Sequence, residues 1–287
     1  MDPVVARKMW RTLEPYHGLI YFAHEATIAY EALGLTASSR SGYFVSRSAP
    51  MGAVSPEVTI ATFYNFEPTL VRRAMNGAWD AARPELVIAA RARAASAALV
   101  RIIGDASAGS AEMREAVDLA RRATDGCRPE GRPLYAGHAQ WAWPGDDQPH
   151  LQLWHAITLL REFRGDGHVA ALTSSGVDGC EALVCHGASG DIAPALLQSS
   201  RGWSDDAWTA ANDRLRARGW LDEAGAFTEA GRARRQAVED ATDELALSPW
   251  QLLGEDGCDR LRQLVRPWSR AVVDSGELFG GGARQPG

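Results

Sequence analysis

Residues 151–171 read LQLWHAITLLREFRGDGHVAA, and they constrain the fold more than any other stretch of the chain. Leu151, Trp154, Ile157, Thr158, Leu160 and Arg161 recur at helical spacing, so one apolar face of a helix has to be covered by other elements. The fourteen residues from His155 to His168 also hold two histidines, two arginines, a glutamate and an aspartate. Core helices rarely carry so many ionisable groups unless these are paired or used. Gly165 and Gly167 permit backbone angles that other residues avoid. They predict that the helix stops at Arg164–Gly167 and turns sharply, presenting Asp166 and His168 together. Two readings are open for this cluster: the rim of a polar pocket, or a buried ion-pair network bracing a kinked helix.

The flanking sequence is also helical in pattern. Residues 3–33 have helical spacing, with Pro15 expected to divide them into two helices and Gly34 to stop the second. In HGLIYFAHEA, Tyr21 and Glu25 are four apart and would share a helical face, with His17 one turn earlier. That line suits proton transfer or substrate hydrogen bonding, or else is an ordinary polar stripe. Pro50, Pro56 and Pro68 break up residues 42–67, which read as loop and short helical turns. There Tyr43, Arg47, Tyr64 and Asn65 lie among Phe44, Phe63 and Phe66, as in an apolar pocket with a few directed polar groups or an aromatic core with tethered hydroxyls. Helix returns over 68–103 and 110–124. Turn signals fill 126–150, the best linker candidate. Further helices are expected at 167–174, 178–187, from an N-cap at Ser204, from Glu229 to about Leu245, and over 256–274, with a short hairpin at 220–228. The expected organisation is a helical domain at 1–125, a linker or packing segment at 126–150, a second domain at 151–279 and a disordered tail at 280–287.

Composition excludes several classes. A net charge of −6 and a pI near 5.7 disfavour non-specific binding to DNA or anionic membrane. No apolar run is long enough to span a bilayer and no signal-peptide core is present, so a cytoplasmic protein without membrane partners is expected. Cys127, Cys180, Cys185 and Cys258 form neither a CxxC pair nor a disulfide frame. GxGxxG after a strand, a Walker loop and HExxH are all missing, so no cofactor is expected. His155, His168 and Asp166 lack the i, i+4 spacing of helical metal ligands, so no metal site is expected either.

The pattern of a helix, LxxRGW, a short hairpin, FTEAGRARR and a long helix resembles the winged-helix fold of MarR-type regulators over about 167–245. Through YFAHE (21–25), GYFVSRSAPMG (42–52), FYNFEP (63–68), GRPL (131–134), LWHAITLLREFRGDGH (153–168) and RGWS (201–204), the chain resembles an actinobacterial helix-turn-helix-related family. The chain departs from that family's pattern at Phe163, where a histidine is usual, and at His24, where proline is. Phe163 removes one proton carrier beside Arg164. The resemblance implies a mainly α fold, with a helical N-terminal half packed on a MarR-like winged-helix C-terminal half and a short β-hairpin wing. It extends to natural-product pathways such as the aziridine-forming proteins of azinomycin assembly.

Two functions follow from these parts. In the first, a small anionic metabolite is held by Arg47, Tyr64, Asn65, Arg161 and Arg164, with Arg132 as a further anchor. His155, Asp166, His168, Tyr21 and Glu25 would move protons in a metal-independent lyase, cyclase or hydrolase. In the second, the chain is a regulator that binds duplex DNA through Arg214, Arg216 and Arg218. Residues 201–231 hold four arginines against six acids, however, a net of −2 and a poor footprint for phosphate. A homodimer through the terminal helices, or a partner subunit, fits either reading.

Overall fold

The computed structural model describes residues 1–36 and 40–279, and its regular structure is helical almost throughout. The tail expected to be disordered at 280–287 lies outside the described residues. Val4–Gly18 is one helix, and Pro15 does not divide it. Pro15 removes one N–H donor from the ladder in the last turn, and the helix runs only three residues beyond it. The break comes later, after the short 3₁₀ turn Leu19–Tyr21 and before the helix His24–Glu31. Tyr21 and Glu25 therefore sit on different elements and share no face, contrary to expectation.

Ser41–Ser48 and Pro56–Phe63 are helices where loop and turns were expected, separated by a 3₁₀ turn at Ala49–Met51. The 68–103 region resolves into Pro68–Met75, Ala78–Ala81 and Pro84–Ile103, followed by Ala111–Thr124. The linker candidate contains a further helix, Pro133–Ala139, which buries Leu134, Tyr135 and His138.

Pro149–Ser174 is the longest helix, and it runs unbroken through Gly165 and Gly167. The expected stop at 164–167 is absent. Gly167 serves close approach instead: a Cβ there would meet the Arg132 guanidinium and Leu245 Cβ. Through that gap Arg132 crosses the helix and donates to the carbonyls of Phe163 and Leu245.

The first part of this helix packs in one large core. Leu153 and Ile157 meet Met9 and Leu13 of the first helix, Leu99 of Pro84–Ile103, and Leu261 and Val265 of the last helix, Glu255–Asp274. Its final turn joins a second, smaller core of Leu172, Val177, Val184, Leu215, Trp220 and Val238. The larger core draws on residues from 6 to 272, so it cuts across the segmentation at 125 and 151.

The smaller core is built from Gly179–Ala188, Pro194–Arg201, Asp205–Ala217 and part of Glu229–Leu245. Asp178 and Glu181 form a reciprocal capping box on the first of these helices, and Ser204 accepts from Ala207 N on the third. The expected β-hairpin wing is reduced to a single antiparallel bridge, Leu221–Phe227, and no sheet forms among the described residues. Gly225 turns the chain at φ +81°, and Thr228 already caps the next helix by accepting from Gly231 N, which leaves no residues to extend a ladder.

Candidate functional site

Buried charge gathers where the first helix, Ser41–Ser48, Pro84–Ile103 and the central helix meet. Glu162 is fully buried between two guanidiniums: Arg161 at 2.9 Å and Arg47 at 3.4 Å. Arg161 also reaches Glu14 at 3.5 Å. Burial alone would raise the Glu162 carboxyl, but Arg161 and Arg47 overcome it and hold the group well below the carboxylate range. Arg47 spends its other terminal nitrogen on Tyr43 Oη at 2.8 Å. It also lies over the rings of Phe63, Tyr43 and Tyr21, at 4.4, 5.4 and 5.5 Å to the centroids. Such faces lower the cost of a desolvated cation.

Arg91 and Arg161 each stand 5.9 Å from the Tyr21 ring, and Arg201 covers Phe66 at 4.8 Å, next to Tyr43. Four guanidiniums thus meet two carboxylates here, an excess of positive charge inside the fold. Tyr43 feels it: burial would raise its phenol, yet Arg47, Arg201 and Arg161 bring it below the usual value. Tyr21, with a smaller net attraction, stays raised by burial despite Arg47, Arg161 and Arg91.

Tyr21 has a proton acceptor in place. Its hydroxyl is 2.7 Å from His17 Nε2, and His17 Nδ1 is 3.0 Å from Thr158 Oγ1. Thr158 donates to the Trp154 carbonyl at 2.8 Å, so its oxygen accepts from Nδ1–H and His17 presents a bare Nε2 to the phenol. Burial, then Arg161 and Arg91, push the His17 imidazole well below its ordinary pKa, so it is neutral and accepts the Tyr21 hydrogen bond at Nε2. The chain is therefore Tyr21–His17–Thr158.

The rings of Tyr21 and Tyr43 wall a cavity of about 180 Å³, together with Tyr30, Arg40, Gly42 and Ser46. Gly42 is required by the close approach of Tyr30, whose Cδ2 would lie 2.8 Å from a Cβ there. The cavity is half open and smaller than most small-molecule sites; Arg40 lines it directly, and the arginine cluster lies behind its two tyrosine rings.

Of the residues expected to form a site, Tyr21, Arg47 and Arg161 converge here. The others do not. Arg164 donates to Asp243 at 2.7 Å and braces the central helix on Glu229–Leu245, alongside Arg7, which holds the same carboxylate at 2.7 Å. Asp166 accepts from Tyr135 N at 3.0 Å, capping Pro133–Ala139 from a neighbouring helix; burial raises its carboxyl to about 7 against that hydrogen bond. His168 bonds Thr242 Oγ1 at 3.0 Å, and burial lowers it to about 4. Because the helix does not turn at Gly165–Gly167, Asp166 and His168 are not presented together. His155 packs edge-on against Trp143, 4.8 Å between centroids, and its imidazole is pushed down to about 4 by burial and Arg121. Glu25 pairs with Arg101 at 2.6 Å, away from the cluster. Arg132 is taken by the two carbonyls described above.

Tyr64 and Asn65 act as a latch. Tyr64 sits at φ +55°, ψ −55°, in a tight turn where Asn65 N donates to Phe63 O at 2.6 Å. Tyr64 donates to the Val177 carbonyl, and Trp203 Nε1 donates to Asn65 O at 3.0 Å. The segment fastens the aromatic wall of the cavity to the smaller core.

Sequence reasoning missed Arg91 and Arg201 as members of the cluster. A signal existed for Arg91: it follows Val87 by four residues, on the buried face of its helix.

The three arginines expected to read DNA are all engaged within the chain. Arg214 holds Glu181 at 2.7 Å and Asp178 at 2.6 Å, and Arg218 holds Glu181 at 2.7 Å. Arg216 pairs with Asp213 at 3.0 Å and donates to the carbonyls of Asp222 and Glu223.

Pro194–Arg201 and Asp205–Ala217 are joined by a three-residue turn in which Gly202 adopts φ +81°. Residues 6–279 match a helix-turn-helix family. The chain belongs to that family. No curated protein and no solved structure matches it. The family match covers nearly the whole of this helix-turn-helix protein, so it takes in the arginine cluster as well as the two helices and their turn. No described helix is long and apolar enough to cross a membrane.

Proposed function

We propose that this helix-turn-helix protein binds a small anionic metabolite in the cavity walled by Tyr21 and Tyr43, and acts on it as a metal-independent lyase or cyclase. The observation that carries the reading is the excess of four guanidiniums over two carboxylates packed behind the Tyr21 and Tyr43 rings, with Arg40 on the cavity wall itself. A buried net positive charge is unfavourable in an empty site and is relieved by an anion. Tyr21 would relay a proton from the ligand to His17 Nε2 and remain a neutral phenol, with Arg47 and Arg161 stabilising the negative charge left on the ligand. A biosynthetic role, like the MarR-like ancestry of the smaller core and the wing relic at 221–227, belongs to the same proposal.

Calorimetric titration with inorganic phosphate, sulfate and malonate tests it. At least one is expected to bind one per chain, and Arg201→Gln to weaken it at least tenfold. No saturable binding, or binding indifferent to Arg201→Gln, overturns the reading.

Family membership favours a second reading, a regulator that binds duplex DNA with a small-molecule effector. Against it stand the internal ion pairs of Arg214, Arg216 and Arg218, which leave few free cations to displace counterions. Fluorescence anisotropy with mixed-sequence duplexes is expected to show no steeply salt-dependent binding. A slope corresponding to several phosphates, lost in Arg216→Ala, would establish the regulator.

A further inference from the structure

A second cavity, of about 90 Å³, lies on the far side of Arg91, between Pro50, Ile88, Trp141, Trp154 and His155. Arg91 is 3% exposed and forms its one charged wall. Its Nη1 donates to Ser46 O at 3.2 Å and stands 3.2 Å from His138 Nε2. His138 Nδ1 is 2.8 Å from Leu134 O and so carries the imidazole proton, which leaves Nε2 as an acceptor for Arg91. The other edge of the guanidinium is unused: Nε and Nη2 are both buried without a hydrogen-bond partner, and so is His155 Nε2 on the same cavity wall. Buried donors on a charged group are costly to leave unmade. Nε–H and Nη2–H are the parallel pair on one side of the guanidinium, and they match the two oxygens of a carboxylate.

We propose that this cavity binds a small monocarboxylate with an apolar body, its two oxygens on the Nε–Nη2 edge of Arg91 and its body between Trp141, Trp154 and Ile88. One guanidinium in an otherwise apolar enclosure selects a single negative charge on a mostly apolar molecule, rather than the multiply charged or compact anion suited to the first cavity. Thr158, which orients His17, also lines this cavity, so the occupant touches the back of the Tyr21–His17 chain. The two cavities are lined by different residues, although Arg91 belongs to the cluster behind the first, and the carboxylate site stands whether or not the first cavity takes an anion.

Benzoate, with benzamide as its uncharged isostere, is the probe. Titrated into the full chain, benzoate is expected to bind one per molecule, and benzamide at least tenfold more weakly. Arg91→Gln removes an internal hydrogen bond and risks the fold, so the decisive variant is Ala92→Leu, which fills the cavity from a half-exposed position. Ala92→Leu is expected to lose benzoate binding at an unchanged melting temperature, while Arg201→Gln leaves benzoate binding intact. Benzamide binding as tightly as benzoate, benzoate binding that survives Ala92→Leu, or a benzoate-soaked crystal showing only water on Arg91 would each overturn the proposal.

Discussion

Glu162 illustrates how much a single buried carboxylate is asked to hold. It is the counter-ion for both Arg47 and Arg161, so Glu162→Gln leaves two desolvated cations with less compensation. We expect a loss of roughly 3–5 kcal/mol of stability, read in urea, and partial recovery when Arg47→Met is added. Asp166 makes the opposite case. Its carboxyl is raised from 3.8 to about 7, so the stability it contributes is fully present below pH 3.8 and is lost as pH rises through 7. His155 and His168, lowered to about 4, behave in reverse: they cost nothing above pH 6.5 and destabilise as pH falls toward 4. Asp166→Asn keeps an acceptor for Tyr135 N and removes only the acid. The difference between wild-type and Asp166→Asn melts should therefore grow in the variant's favour from pH 4 to 7, by on the order of 2 kcal/mol. A flat difference would mean that Asp166 ionises normally.

Elements meet tightly where the Phe63–Phe66 segment touches Gly179–Ala188. A Cβ on Gly179 would collide with the Tyr64 carbonyl, 3.1 Å from Asn65 Cα as well, and these are backbone atoms that cannot swing away. Gly179→Ala should cost roughly 1–3 kcal/mol, the usual penalty of overpacking. It should also shift the fluorescence of Trp203, whose indole N–H bonds Asn65 O. A variant with wild-type stability and spectrum would show that the latch is loose. The sequence left this segment open between an aromatic-lined pocket and an aromatic core, and Phe63 and Phe66 lie in the core; the outward use of Tyr64 and Asn65 depends on a partner more than a hundred residues away.

At the scale of the molecule, the first and last helices complete one core: Met9 and Leu13 share it with Leu261, Val265 and Val272. Ser269 Oγ donates to Thr12 O at 2.7 Å across the same contact. Removing residues 255–279 should therefore abolish folding of the N-terminal half rather than trim a peripheral helix. Circular dichroism of the truncated chain would decide it, and a native-like, cooperatively melting product would show that the two halves are independent.

What the sequence determined by itself is what local spacing can encode. Helical periodicity located most helices, and Ser204 marked its N-cap; of the three arginines between 214 and 218, only Arg216 has its acid within 201–231, whereas Arg214 and Arg218 pair with Glu181 outside it. Of the two open readings of the central stretch, the buried ion-pair network is the one seen, without the kink: Arg161 and Glu162 face the buried cluster while Arg164 braces a neighbouring helix. Tertiary structure decided which charges meet. Arg47 and Glu162 are 115 residues apart, and no spacing rule relates them. Gly167 looked like a helix breaker because glycine tolerates turns. The incoming Arg132 gave it a different role, since a residue without a Cβ also lets another chain segment pass. Electrostatic energy depends on distance in space and on burial, and sequence spacing gives neither until the helices are packed.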